Sequence, residues 1–276
     1  MLIDAHHHIW SLARPECRWP TAADGVLHRD FTLVEFRRVA GDAGVSGAVL
    51  IQTQESDADT DWLLTLADDP FVTAVVGWAD LHAPHAPRRI AALARHPKLA
   101  GLRPMVQHRA ADWYDDPALD AAFDAMEEAG LALDALVRVG HLASLERLAR
   151  RRPDLAIAID HAAKPAIGRS DGFAEWRRAI APLADRPNMR CKLSGLLSEC
   201  GDAPPEAVVP FILAMLELFG ADRVMWGSDW PVLEASGRYA DWLALARATV
   251  PERDHRAVFG GTARAFYATE AVEVRA

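Results

Sequence analysis

Leu2-Ile3-Asp4-Ala5-His6-His7-His8 decides the fold: a short apolar run ends at once in polar side chains able to do chemistry. The pattern returns at Gly47–Gln52, Thr73–Trp78, Ala100–Arg103, Leu131–Val137, Leu155–Asp160, Met189–Leu193 and Arg223–Gly227. With Leu2–His6, these make eight runs bounded by Gly, Pro, Asp or Asn. Near-continuous apolar character over so short a length marks a strand buried on both faces. Between the runs lie Asp61–Ala67, Pro87–Arg95, Asp116–Glu128, Leu142–Arg151, Gly172–Ala184 and Pro205–Phe219. These follow a 3.6-residue apolar period with Asp, Glu or Arg on the outer face, as helices do. Tyr239–Ala248 and Asp254–Tyr267 follow the last strand with the same period.

Alternating strands and helices imply parallel pairing through right-handed crossovers, and eight such units close into a barrel. An open doubly wound sheet would want a Gly-rich phosphate loop after the first strand, and the sequence has none there. The predicted class is therefore α/β: a single (β/α)8 TIM-type barrel domain over residues 1–276. The polar stretch Ser11–Asp30, with Trp19-Pro20 inside it, reads as a loop over the barrel mouth.

Composition narrows the partners. A net charge of -9 argues against nucleic acid, whose phosphates want a basic face. No apolar run is long enough to span a bilayer, and Met1-Leu2-Ile3 runs straight into a polar motif, unlike a signal peptide. Cys17, Cys191 and Cys200 are odd in number and lack metal-site spacing, so they read as reduced thiols. The expectation is a cytoplasmic monomer or homodimer acting on a small molecule, without nucleic-acid or membrane partners.

Barrels of this kind take their reactive residues from the C-terminal ends of the strands. Side chains alternate along a strand, so His6 and His8 share one face and His7 takes the other. Two imidazoles so placed can converge on one metal ion or one substrate oxygen. Asp229, in Gly227-Ser228-Asp229-Trp230-Pro231, puts a carboxylate at the end of the neighbouring eighth strand. Alone it would read as a helix N-cap or turn residue. Beside His6 and His8 it reads as a metal ligand or an acceptor of a proton from water. His161 ends the sixth strand, and Arg103, ending the fourth, offers forked donors to a carbonyl or carboxylate. Of only three lysines, Lys164 and Lys192 fall in strand-end motifs, and Lys192 reads equally as a buried ion-pair partner. Gln52, Arg103, Gln107, Trp113, Lys164 and Trp230 are candidate substrate contacts. Asp134 reads as buried and paired, and His28, His82, His85, His96, His108 and His255 as loop or surface groups.

In order along nearly the whole chain, several motifs resemble the amidohydrolase superfamily, in its branch of sugar-lactone and pyrone-lactone hydrolases. They are Ile3-Asp4-Ala5-His6-His7-His8-Ile9-Trp10, Val76-Gly77-Trp78-Ala79-Asp80-Leu81, Gly101-Leu102-Arg103-Pro104-Met105, Asp160-His161-Ala162-Ala163-Lys164-Pro165, Cys191-Lys192-Leu193-Ser194-Gly195-Leu196 and Met225-Trp226-Gly227-Ser228-Asp229-Trp230-Pro231-Val232. The resemblance implies hydrolysis of an aldonolactone, such as an L-fucono- or L-rhamnono-lactone, with Asp229, His161 and Arg103 as catalytic groups. It leaves two forms of the site open. One divalent ion, zinc by preference, is held by His6, His8 and Asp229, with His161 able to join; or the residues work without metal. Dinuclear members of the superfamily use a Lys or Glu from strand four and a His from strand five, where this chain has Arg103 and Asp134. Non-oxidative decarboxylation and opening of 2-pyrone-4,6-dicarboxylate are the rival activities, and a barrel that binds a sugar acid without turnover is the rival from outside enzymology.

Overall fold

The apolar runs pair in the order in which they occur. A computed structural model describes residues 1–267; residues 268–276, which the sequence places in the same domain, lie outside the described residues. The strands are β1 (Ile3–His7), β2 (Gly47–Ile51), β3 (Val72–Gly77), β4 (Leu99–Leu102), β5 (Ala132–Ala135), β6 (Ile157–Ile159), β7 (Met189–Leu193) and β8 (Val224–Trp226). They form one eight-stranded sheet in sequential order, parallel at every junction from β1–β2 to β7–β8. Helices α1 (Leu33–Asp42), α2 (Asp57–Leu66), α3 (Ala86–Leu93), α4 (Asp120–Glu128), α5 (Leu142–Arg151), α6 (Gly172–Ala184), α7 (Val209–Phe219), α8 (Tyr239–Thr249) and α9 (Thr262–Phe266) lie between and after them. This is the TIM-type barrel expected. No described helix is long and apolar enough to cross a membrane.

Three departures have physical causes. β5 and β6 are shorter than their apolar runs because the chain leaves the ladder early, and Asp160–Ala163 turns away as a 3-10 segment. Helix α1 escaped the periodicity reading because only Phe36 and Ala40 are buried on it, while Val34 stays 80% exposed. Asp254–Tyr267 is not one helix: a π turn over Ala257–Gly261 precedes α9. Gly260 there passes so close to the N-terminus that a Cβ would stand 2.6 Å from the Met1 carbonyl oxygen.

Two apolar clusters hold the barrel. A small one, including Ile3, Ala5, Val49, Ile51, Ala74, Val76, Ala132, Ala158, Met225 and Tyr267, fills the interior. A much larger one lies between strands and helices. Burying a side chain such as Phe36 or Ile180 contributes ~1.5–3 kcal/mol, and many such side chains are fully buried.

The seam between β8 and β1 is closed by the segment after β8. Asp229 N–H donates to His6 O (2.8 Å) and His8 N–H to Trp230 O (2.7 Å). Asp4 clasps the same seam from behind. Its Oδ1 accepts from His6 N–H (3.0 Å) and Ser228 N–H (2.9 Å), and its Oδ2 from Tyr239 O–H (2.9 Å). Burial pushes the Asp4 carboxyl up to about 6, against the pull of those donors. Gly227 lets the two segments meet, since a Cβ there would stand 2.7 Å from His6 Cβ. Tyr239→Phe removes one donor from this carboxylate and should lower stability by about 1–3 kcal/mol; an unchanged urea-unfolding midpoint would show that the clasp does not need it.

Candidate active site

At the C-terminal end of the barrel four ligand atoms face one another. His6 Nε2 lies 3.1 Å from His8 Nε2. Asp229 Oδ1 lies 3.3 Å from His8 Nε2, 3.7 Å from His6 Nε2 and 3.8 Å from His161 Nε2. His7 turns the other way and stacks on Phe36 at 3.8 Å, which is the alternation of faces expected of β1. His8 Nδ1 hydrogen-bonds Ile51 O at 2.9 Å. Since a carbonyl only accepts, that ring carries its proton on Nδ1 and turns a bare Nε2 toward the centre.

Burial drives the imidazoles toward neutrality. The His6 pKa is held well below its ordinary value by burial and by Lys192, and that of His8 is lowered by burial against the pull of Asp229. Burial likewise lowers His161 to about 4, again opposed by Asp229. Burial alone would raise Asp229, but His161, His8 and His6 outweigh it and hold the carboxyl well below the usual range. At neutral pH the set is therefore three neutral imidazoles and one carboxylate.

That donor set fits a divalent cation. Arms of ~2.0–2.1 Å in a tetrahedron give ligand-to-ligand edges of roughly 3.4 Å, close to the spacings among His6, His8 and Asp229. His6, His161 and Asp229 offer ligand atoms that all lie within 4.8 Å of one another, so His161 stands about as near the centre as its neighbours.

Under this set lies a buried ion cluster. Lys192 Nζ contacts Asp134 Oδ2, Asp160 Oδ1 (2.9 Å) and His6 Nδ1 (3.2 Å), and Tyr267 O–H donates to Asp134. Burial raises Asp134 to about 6 against the pull of Lys192, whereas Lys192 and His6 outweigh burial at Asp160 and hold it low. Lys192 is thus a buried ion-pair partner that also touches a site histidine.

Two backbone features place the reactive groups. Asp229 has φ 60°, and His161, Ala162, Ala163 and Lys164 have φ of 52°, 49°, 63° and 50°. For L-residues this left-handed conformation costs roughly 1–2 kcal/mol each. Gly195, at φ 63°, passes beneath His161, where a Cβ would lie 2.5 Å from its Nδ1. Next to it, Ser194 Oγ hydrogen-bonds the same Nδ1 at 2.9 Å.

Over His8, His161 and Asp229 opens a cavity of about 330 Å³, within the range of small-molecule sites. His8, His161, Asp229, Arg103, Gln107 and Lys164 line it. So do Trp19, Thr53, Met105, His108, Leu136 and Val232, which sequence reasoning did not single out. Trp19 comes from the long mouth loop; the others lie just beyond the ends of β2, β4, β5 and β8, or on the loops that follow. Their signal was position alone. Asp160 and Ser194 stand inside the strand-end motifs but were given no role of their own.

Three expected substrate contacts lie elsewhere. Gln52 is fully buried and donates its amide to Arg103 O at 2.8 Å, while Arg103 returns a bond to Gln52 O, so the pair ties β2 to β4. Trp230 alternates away from Asp229: its ring is buried beside Phe31 and Phe36, and its N–H goes to Glu234 (2.8 Å). Trp113 lines a neighbouring cleft with Trp78, Asp80 and His82. His141, at the start of α5, turns its Nε2 to Arg109 O at 3.2 Å and does not line the cavity.

A barrel with imidazoles and a carboxylate at its strand ends is the architecture of metal-assisted and general-base hydrolases. Residues 3–269 match the family model described as Amidohydrolase, and the chain belongs to that family. It is 45% identical to the L-fucono-1,5-lactonase of Burkholderia ambifaria, over 96% of this chain and 94% of that protein. It is 31% identical to the L-fucono-1,5-lactonase of Burkholderia multivorans, over 96% and 95% of the two chains. Its fold is similar to the crystal structure of an amidohydrolase from Burkholderia multivorans with bound zinc, with a TM-score of 0.91, 31% identity, and coverage of 98% and 100%.

Gly195→Ala tests the placement of the site without touching its chemistry. The added methyl should leave the barrel folded but displace His161 and crowd Asp229 Oδ2, 3.1 Å from the new Cβ, and turnover should fall by about 100-fold. Steady-state kinetics at near-wild-type secondary structure would check it.

Proposed function

We propose that this protein is a lactone hydrolase that opens a sugar 1,5-lactone to its sugar acid. The observation that carries the reading is an ionised Asp229 faced by three neutral imidazoles, two of which, His8 and His161, line a small cavity with it and with Arg103. Asp229 accepts a proton from water as the water oxygen bonds to the lactone carbonyl carbon. Arg103, fixed by its bond to Gln52 O, meets the carbonyl oxygen as negative charge grows there; a positioned donor of this kind is worth a few kcal/mol. The ring C–O bond then breaks, and the proton taken up by Asp229 passes to the departing oxygen, directly or by way of His161, which accepts it from Asp229 and hands it on. His6, His8 and Asp229 would hold a zinc ion, with His161 within reach. Bound there, the metal would polarise the carbonyl and acidify the water.

The walls fit this substrate class. Trp19, Met105, Leu136 and Val232 supply apolar lining suited to the methyl group and C–H face of a deoxy sugar. Arg103, Gln107 and His108 supply polar groups to the same cavity, suited to hydroxyl and carbonyl oxygens. A dicarboxylated pyrone would want several unpaired cations, but Lys164 is already paired with Glu199 at 3.1 Å. L-Fucono-1,5-lactone, the substrate in the relatives' names, is the first compound to try. On this reading residues 1–276 are one catalytic domain of the cytoplasm, where Cys17, Cys191 and Cys200 remain the free thiols observed.

Acid release from that lactone, followed with a pH indicator, tests the reading. Asp229→Asn should cut turnover by at least ~100-fold while the fold persists; near-normal turnover would remove Asp229 from its role. Carbon dioxide release from aromatic acids, with no lactone opening, would instead identify a decarboxylase. Dialysis against a chelator should abolish activity and zinc should restore it. Undiminished turnover of the metal-depleted protein would show that the residues suffice alone.

A further inference from the structure

The turn that carries His161 has the wrong hand. His161, Ala162, Ala163 and Lys164 all have φ between 49° and 63°, and Lys164 N–H donates to His161 O at 2.8 Å to close one left-handed turn. None of the four is glycine. Single left-handed residues are common in turns, but runs of them are avoided by L-residues. Such a backbone persists only where its surroundings over-determine it. Its two ends are the groups that reach the cavity, His161 beside Asp229 and Lys164 near the mouth. A turn relaxed to the ordinary hand would carry both away.

What holds the turn can be read from its contacts. Ser194 grips the His161 ring and Glu199 pairs with Lys164, so both act on side chains at the ends. The middle is held through the backbone: Trp176 Nε1–H donates to Ala162 O at 2.7 Å, fully buried. Trp176 lies on α6, the helix that follows the turn, and its ring is fixed against Phe211 at 5.0 Å. A bland account is available, since a buried tryptophan between α6 and α7 also fills space. Packing alone, however, does not require the indole N–H to meet a strained carbonyl.

We propose that Trp176 is a positioning residue: through the Ala162 carbonyl its N–H holds the left-handed turn, and so sets where His161 and Lys164 stand over the substrate. This rests on the lactonase reading for its kinetic consequence but not for its structural one. The test pairs kcat for lactone opening with hydrogen exchange of the Lys164 amide, which reports the turn whatever the reaction. Trp176→Phe should lower kcat by about tenfold or more and speed that exchange by a similar factor. Adding Ala163→Gly should restore much of both, because glycine adopts this backbone at little cost, while a lost methyl cannot repair packing. Normal kcat and exchange in Trp176→Phe would overturn the proposal. So would a loss of kcat with unchanged exchange, or a loss that glycine does not rescue. If Trp176→Phe does not fold, 3-benzothienylalanine at position 176 keeps the ring's shape, lacks the N–H, and is judged by the same outcomes. If no lactone is turned over even by the unaltered protein, the exchange arm still decides.

Discussion

The buried Asp4 carboxylate at the β1–β8 seam is the contact on which the rest depends. A parallel barrel must bring its last strand against its first, and β8 is only three residues long. The bonds that complete the ring therefore come from Ser228, Asp229 and Trp230, held by Asp4 and by the exchange with His6 and His8. These residues flank or are the reactive groups. Closing the barrel and assembling the site are one event, since an open seam would leave Asp229 far from both histidines. A buried carboxylate costs several kcal/mol unless its lone pairs are met, and three donors from three parts of the chain meet those of Asp4.

The same reasoning explains the ions below the site. Lys192 sits where three carboxylate and imidazole groups converge, so its desolvation is offset by contact with Asp134, Asp160 and His6 together. Removing one partner of such a cluster typically costs more than the cluster contributes, because the remaining charges are stranded. Burial keeps the imidazoles above the cluster neutral, and at His6 Lys192 adds to that effect. Arg103 and Gln52 do a related task on the wall, each bonded to the other's backbone carbonyl across β2 and β4.

Much of this was legible in the chain. Period-2 alternation put His6 and His8 together and sent His7 outward to Phe36. Strand-end position singled out Asp229, His161, Arg103 and Lys164, all of which line the cavity, as does Gln107, read as a substrate contact. The same rule misplaced Gln52 and Trp230, because being at a strand end does not say which face a side chain takes once the ladder bends. Trp113 was misplaced because the loop after β4 folds into a second cleft. Helix α1 was missed because its buried stripe is narrow.

The sequence by itself determined the eight-unit alternation, the sidedness of β1 and the presence of an imidazole–carboxylate set, since each follows from local periodicity and residue chemistry. Tertiary structure alone decided that Asp4 closes the ring, that Lys192 answers two acids, and that His161 is presented by a left-handed turn under Trp176. Those outcomes rest on contacts between residues as much as 235 positions apart. No local pattern encodes them, because burial and distance come into being only when the barrel closes.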